Sequence, residues 1–155
     1  MSCSFRIVLY QPEIPANTGN IGRLCVGANA ELHLIKPMRF ILSDKYLKRA
    51  GLDYWPKLKF FIHENLDDFL KSVNQYNVYF CSTKGKFNYS QINFSLGDIF
   101  VFGPETQGLP EKMLNDNRDK TLKIPMNADI RSLNLSNSVA IILYEALRQT
   151  QYCFI

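Results

Sequence analysis

The feature that most constrains this chain is an alternation. Short runs rich in β-branched and aromatic residues recur at intervals too long for tight hairpins. They occupy residues 5–10, 31–35, 58–62, 78–82, 98–102 and 122–125. Between them, apolar residues fall at helical spacing. Ile21, Leu24, Cys25 and Ala28 mark a helix beginning near Asn17 or Thr18. Tyr46, Leu47 and Ala50 mark a second, capped by Ser43 and stopped at Gly51. Leu66, Phe69, Leu70 and Val73 mark a third behind Asn65, and Gly108-Leu109-Pro110 opens a short fourth. Strands alternating with helices predict an α/β fold: a mostly parallel six-stranded sheet with helices on both faces. No repeat or linker divides residues 1–155, so one domain is expected. Residues 83–97, with Lys84, Gly85, Lys86 and several Asn and Ser, are expected to form a mobile surface loop with a weakly formed middle.

The last third is unusual. From Ser132 to Ser138 small polar residues alternate with leucines, a pattern that suits neither a strand nor a helix interior. Ser136 or Asn137 can N-cap a helix running to Gln149, and residues 139–143 are apolar on every side, which predicts a buried helix. Taken alone, this is also what a C-terminal core helix behind a polar loop looks like.

Composition excludes more than it assigns. With 46% hydrophobic and 21% charged residues the chain fits a soluble globular protein. No apolar run approaches the roughly 18 residues that span a bilayer, and no signal-like segment precedes the first strand, so no membrane partner is expected. A net charge of +4 is compatible with an RNA partner without requiring one. Cys3, Cys25, Cys81 and Cys153 form no C-x-x-C pair, and three of them lie beside apolar residues, which predicts reduced core thiols and a cytoplasmic protein. His33 and His63 stand alone, and His33 lies in a strand-like run, so a structural role and no metal are expected. Nucleophile-elbow, G-x-G-x-x-G and Walker-type lysine motifs are all missing.

Open parallel sheets bind ligands beyond the carboxyl ends of their strands. Three such ends carry unusual chemistry: Cys81-Ser82-Thr83, Gly103-Pro104-Glu105 and Ile124-Pro125-Met126. All lie in the second half, which predicts a site built there. Asn17 and Arg23 are six residues apart on the first helix and need not share a face.

These pieces resemble a known family. Asn17…Arg23, then residues 102–110 (FGPETQGLP), then Ile124-Pro125-Met126 and residues 131–137 (RSLNLSN) with Tyr144-Glu145-Ala146 are similar to the three ordered motifs of the SPOUT methyltransferases, TrmL type. Residues 12–15 (PEIP) and 48–54 (KRAGLDY) extend the similarity. The resemblance implies a C-terminal trefoil knot, which general topology rules would have argued against. It implies S-adenosylmethionine as cofactor, held largely by main-chain groups and lined by Cys81, Gly103, Ile124 and Ser132. It implies 2'-O-methylation of the wobble nucleotide, position 34, of leucine tRNAs. Arg23 matches the arginine credited with activating the ribose hydroxyl. A free guanidinium does not readily give up a proton, so holding a phosphate or stabilising an alkoxide remain open roles. Asn17 would orient Arg23, while Glu105 and Asn134 would complete the substrate pocket with Ser132.

Tyr144 would act from a homodimer interface on the C-terminal helix, and the apolar residues 139–143 would need cover there. Lys45, Lys48, Arg49, Lys84, Lys86 and Arg131 are the expected contacts to a tRNA anticodon loop. Other readings are the same chemistry on another tRNA site or on rRNA, a catalytically silent RNA-binding protein, and a flavodoxin-like nucleotide-binding enzyme.

Overall fold

The computed structural model describes residues 4–42 and 54–155. In chain order the elements are β1 (Arg6–Tyr10), α1 (Pro15–Gly27), β2 (Glu31–Ile35), β3 (Lys59–His63), α2 (Leu66–Ser72) and β4 (Val78–Cys81). They continue with β5 (Phe87–Asn88), β6 (Ile99–Phe102), α3 (Glu111–Asp116), β7 (Thr121–Lys123) and α4 (Leu135–Gln149). The predicted helix at 43–51, with Lys45, Lys48 and Arg49, lies outside the described residues.

The strands form one sheet in the order β3-β2-β1-β6-β4-β7-β5, and every neighbouring pair is parallel. Successive residues of a strand face opposite sides, and both sides are covered, so the inner strands are apolar without a break. In β1, Ile7 and Leu9 join the core beneath α1 and α4, while Val8 joins the core beneath α2 and α3. Phe100 and Phe102 of β6 pack with Ile21 and Cys25 of α1 and with Val139, Ile142 and Leu143 of α4. On the opposite face Ile99 and Val101 meet Leu66 and Phe69 of α2 and Leu114 of α3.

The strand count corrects the six expected from the sequence. The seventh, β5, lies inside the segment expected to be a mobile loop, and pairs Phe87 with Leu122 and Asn88 with Lys123. Asn88 and Gln91 then form a reciprocal capping box around a 3-10 turn, Tyr89–Gln91. Gln149 of α4 pins residues 92–94 just beyond that turn: it accepts from the Phe94 amide at 2.7 Å and donates to the Ile92 carbonyl at 3.0 Å. Helix starts also differ from expectation. Pro15 opens α1 two residues early, since its fixed φ suits a first turn. Asn134, in place of Ser136 or Asn137, caps α4, accepting from the amides of Ser136 (2.9 Å) and Asn137 (3.3 Å).

β7 comes after β5 and β6 in the chain, yet it is inserted between β4 and β5. The connection 82–86 therefore crosses over β7. The Ser82 amide donates to the Leu122 carbonyl at 2.9 Å, and the Lys86 amide to Thr121 Oγ1 at 2.9 Å. Gly85 sits against the β7 backbone; a Cβ there would lie 2.3 Å from the Leu122 carbonyl carbon. A late strand threaded into an earlier loop is the trefoil knot expected from the resemblance, and it forms the C-terminal part of the fold.

Candidate active site

The carboxyl ends of β4, β6 and β7 open on one cavity of about 390 Å³. Its walls are mostly turns. The turn after β6 closes on itself: a Cβ at Gly103 would lie 2.3 Å from the Gly108 carbonyl carbon and the Leu109 nitrogen, and Gly108 has a left-handed φ of +69°. Leu122, Ile124, Met126, Leu133 and Ile142 supply apolar surface. Turns of this kind expose amides and carbonyls that no ladder uses.

One hydrogen-bonded chain links the three sequence motifs. Glu105 Oε2 accepts from the Glu13 amide at 2.9 Å, and Oε1 accepts from the Ile14 amide at 3.0 Å and from Asn17 Nδ2 at 3.4 Å. Asn17 Oδ1 in turn accepts from Asn134 Nδ2 at 3.2 Å. Asn134 Oδ1 caps α4. The carboxylate thus sits at the start of α1, where free amides and the helix dipole favour negative charge. Glu13 reinforces the joint from the other side. Its Oε1 accepts from the Thr106 hydroxyl at 2.7 Å and amide at 3.2 Å, and its Oε2 lies 3.4 Å from Arg39. The Thr106 hydrogen bonds, aided by Arg39, hold the Glu13 carboxyl below the usual carboxylate range.

The structure brings Asn17, Cys81, Gly103, Glu105, Ile124 and Ser132 to this cavity, together with Asn134 and Arg131. Burial pushes the Cys81 thiol up, so it stays protonated and offers a neutral wall. Arg23 and Tyr144 are exposed on α1 and α4, and neither lines the cavity of its own chain. Within one chain no hydrogen bond joins Asn17 to Arg23 among the described residues. The Asn17 amide is engaged by Glu105 and Asn134, and six residues turn Arg23 to another side of α1. Lys84 is exposed and follows Thr83, which lines the cavity. Lys48 and Arg49 lie outside the described residues.

Sequence reasoning missed Glu13 and Thr106, although both lie inside the family-like motifs. Their signal is that a second carboxylate and a hydroxyl border the two segments that meet. It also missed the seat of α1. Tyr54 donates its hydroxyl to the Gly19 carbonyl, and Gly22 lets Tyr54, Trp55 and Leu58 pack closely on the helix. Among the described residues no group of three His, Cys, Asp or Glu could hold a metal ion, and no helix is long and apolar enough to cross a membrane.

Residues 4–144 match the SpoU rRNA Methylase family. The chain belongs to that family. A family relative, the tRNA (cytidine(34)-2'-O)-methyltransferase of Methylovorus glucosotrophus (strain SIP3-4), is 50% identical over 149 residues, covering 96% of this chain and 97% of that protein. A solved structure described as giving insight into the 2-OH methylation of C/U34 on tRNA is 44% identical, with a TM-score of 0.91 over 96% of this chain and 97% of the other. The SpoU methyltransferase AviRb from Streptomyces viridochromogenes, in complex with the cofactor AdoMet, is 22% identical with a TM-score of 0.84, covering 97% of this chain and 59% of its own. That last likeness is one of fold, and the fold is the SpoU α/β knot. The SPOUT, TrmL-type resemblance seen in the sequence therefore holds across the chain.

Proposed function

We propose that this chain transfers a methyl group from S-adenosylmethionine to the ribose 2'-oxygen of nucleotide 34, a cytidine or modified uridine, in the anticodon loop of leucine tRNAs. The observation that carries this reading is the joined site. The three family motifs converge on one cavity, tied together through Glu105, Asn17 and Asn134. A relative of nearly the same length and 50% identical sequence bears the name tRNA (cytidine(34)-2'-O)-methyltransferase, which supports the reaction and the position though not the choice of leucine tRNAs.

The cavity fits the cofactor. About 390 Å³ lies within the usual range for ligand sites, and apolar walls beside main-chain turns suit a flat purine with polar edges. Cys81, Gly103, Ile124 and Ser132 would hold it. When bound, it supplies an electrophilic methyl group on a sulfonium. The rest falls to the protein: alignment of the 2'-hydroxyl, exclusion of water and a place for the departing proton. Both Glu105 oxygens already accept main-chain hydrogen bonds, so Glu105 is assigned to positioning the turn. Ser132 and Arg131 line the cavity and would serve as ribose and phosphate contacts. Arg23 supplies positive charge to the developing alkoxide.

A homodimer through α4 is part of this reading. Val139, Ile142 and Leu143 are already covered within one chain, so an apolar stripe does not by itself demand a partner. What supports the dimer is that Arg23 and Tyr144 (43% exposed) lie on the adjoining helices α1 and α4 and are not among the residues that line their own chain's cavity. A second copy on that face would receive them. The cytoplasm, where tRNA is found, is the compartment this reading requires.

The test is methyl transfer from labelled S-adenosylmethionine to separated tRNA and rRNA, followed by nucleoside mapping. Label at position 34 of leucine tRNAs supports the reading. Label confined to rRNA or to another tRNA site replaces it with the same chemistry on another target. Binding of RNA without any transfer would make the chain a silent RNA-binding protein. Mixing Arg23→Ala with Asn134→Ala subunits should restore partial transfer if the site is shared across the dimer, and none if each chain works alone.

A further inference from the structure

The basic residues are unevenly spread. Residues 82–88 and 117–124 together carry Lys84, Lys86, Arg118, Lys120 and Lys123 against one carboxylate, Asp119. Their sum equals the net charge of the whole chain, +4, and the thirteen cations elsewhere are matched by thirteen carboxylates. The fold joins these two segments into one surface at the outer edge of the knot. Arg118 Nη1 donates to the Lys84 carbonyl at 2.8 Å, and Lys86 Nζ pairs with Asp119 at 2.6 Å. Thr121 Oγ1 accepts from the Lys86 amide and donates to the Arg118 carbonyl. Lys86 also lies over the Phe87 ring and Lys120 over the Tyr79 ring, both at 5.1 Å.

This surface begins at the rim of the cavity. Thr83 lines the cavity and precedes Lys84; Ile124 lines it and follows Lys123. Resting on the proposed function, we infer that the knot's outer edge binds the phosphate backbone of the RNA strand whose target nucleotide enters the cavity. The carboxylates near the patch do not cancel it. Asp119 is engaged by Lys86, Asp116 by Lys112, and Asp98 is buried beneath hydrogen bonds from Asn77 and Ser95. None of the large exposed apolar side chains among the described residues falls in these two segments, which separates the patch from a membrane-docking face. The same loop that ties the knot would thus present the cations, so cofactor walls and RNA contacts are built from one stretch of chain.

The test uses the full chain with Lys84, Lys120 and Lys123 replaced by Gln together, and a matched triple Lys→Arg variant. No hydrogen bond of the knot among the described residues rests on these three ammonium groups. tRNA binding is measured by anisotropy across a salt series, S-adenosylhomocysteine binding by calorimetry, and anionic phosphatidylglycerol vesicles serve as a second polyanion. The Gln variant should bind tRNA about tenfold more weakly, with the log–log salt slope flattened by about 2. Its S-adenosylhomocysteine affinity should be unchanged, and the Arg variant should behave as wild type. An unchanged tRNA affinity and slope would overturn the inference, as would loss of vesicle binding alone. If wild type methylates a different RNA while the patch still governs its binding, the inference stands and the assignment to position 34 falls.

Discussion

The two limbs of the sheet are built by different rules. On the β3-β2-β1 side, strands lie in the order in which the chain makes them. On the β6-β4-β7-β5 side a late strand is pushed between two earlier ones. The first limb is held by side chains of the right shape. The second depends on positions where no side chain fits. It is also the limb that carries the cavity, so in this fold the least conventional threading and the candidate site share the same few turns.

The sharpest way to break that contrast is Gly85→Ala. The new Cβ would fall 2.3 Å from the β7 backbone, which cannot move without opening the knot. A loss of about 3 kcal/mol is expected in urea unfolding, with S-adenosylhomocysteine binding lost in parallel.

Glu105→Ala tests the joint between the limbs. It strands the Glu13 and Ile14 amides and frees Asn17, and should cost about 2 kcal/mol. It should also abolish transfer under conditions where the protein remains folded by circular dichroism.

The conventional limb has a weakness of its own, in acid. His33 Nδ1 lies 2.9 Å from His63 Nε2, and His33 Nε2 lies 3.1 Å from Glu31, which also accepts from Arg6 at 3.0 Å. Burial drives His33 down to about 4 despite the Glu31 carboxylate, and burial lowers His63 as well. As pH falls, the unfolded chain binds protons near its ordinary histidine value of about 6.5 while the native chain refuses them until about 4. Stability is therefore complete above about 6.5 and is lost through that window. Asp98, raised by burial, works in the opposite sense lower down. About 2 kcal/mol should disappear between pH 7 and pH 5 in urea titrations, and the step should shrink in His33→Gln.

At the small end, Gly27→Ala on α1 should stabilise the chain by about 0.5 kcal/mol. Its Cβ would meet nothing within 4 Å, and alanine narrows the unfolded ensemble. Gain at Gly27 and loss at Gly85 from the same substitution would show the two rules side by side.

The same contrast explains what the sequence revealed. Residues 31–35 are a strand by pattern and by structure, and Asn65 caps α2 as its side chain suggests. Such features are local. β5 was invisible because two residues, Phe87 and Asn88, show no period, and their pairing partner lies more than thirty residues on in a strand threaded through the knot. The cavity residues Asn17, Glu105 and Asn134 were legible as motif members. That their amides and carboxylate bond to one another was not, because it depends on how α1, the β6 turn and α4 converge. Arg23 shows the limit of spacing: six residues along a helix separate it from the cavity its neighbour lines.

The most direct measurement is mass spectrometry of nucleotide 34 in leucine tRNAs from a strain lacking this gene. The expected result is loss of its 2'-O-methyl group, restored by the wild-type chain and not by Arg23→Ala. Full methylation at position 34 in the deletion strain would contradict the proposed function.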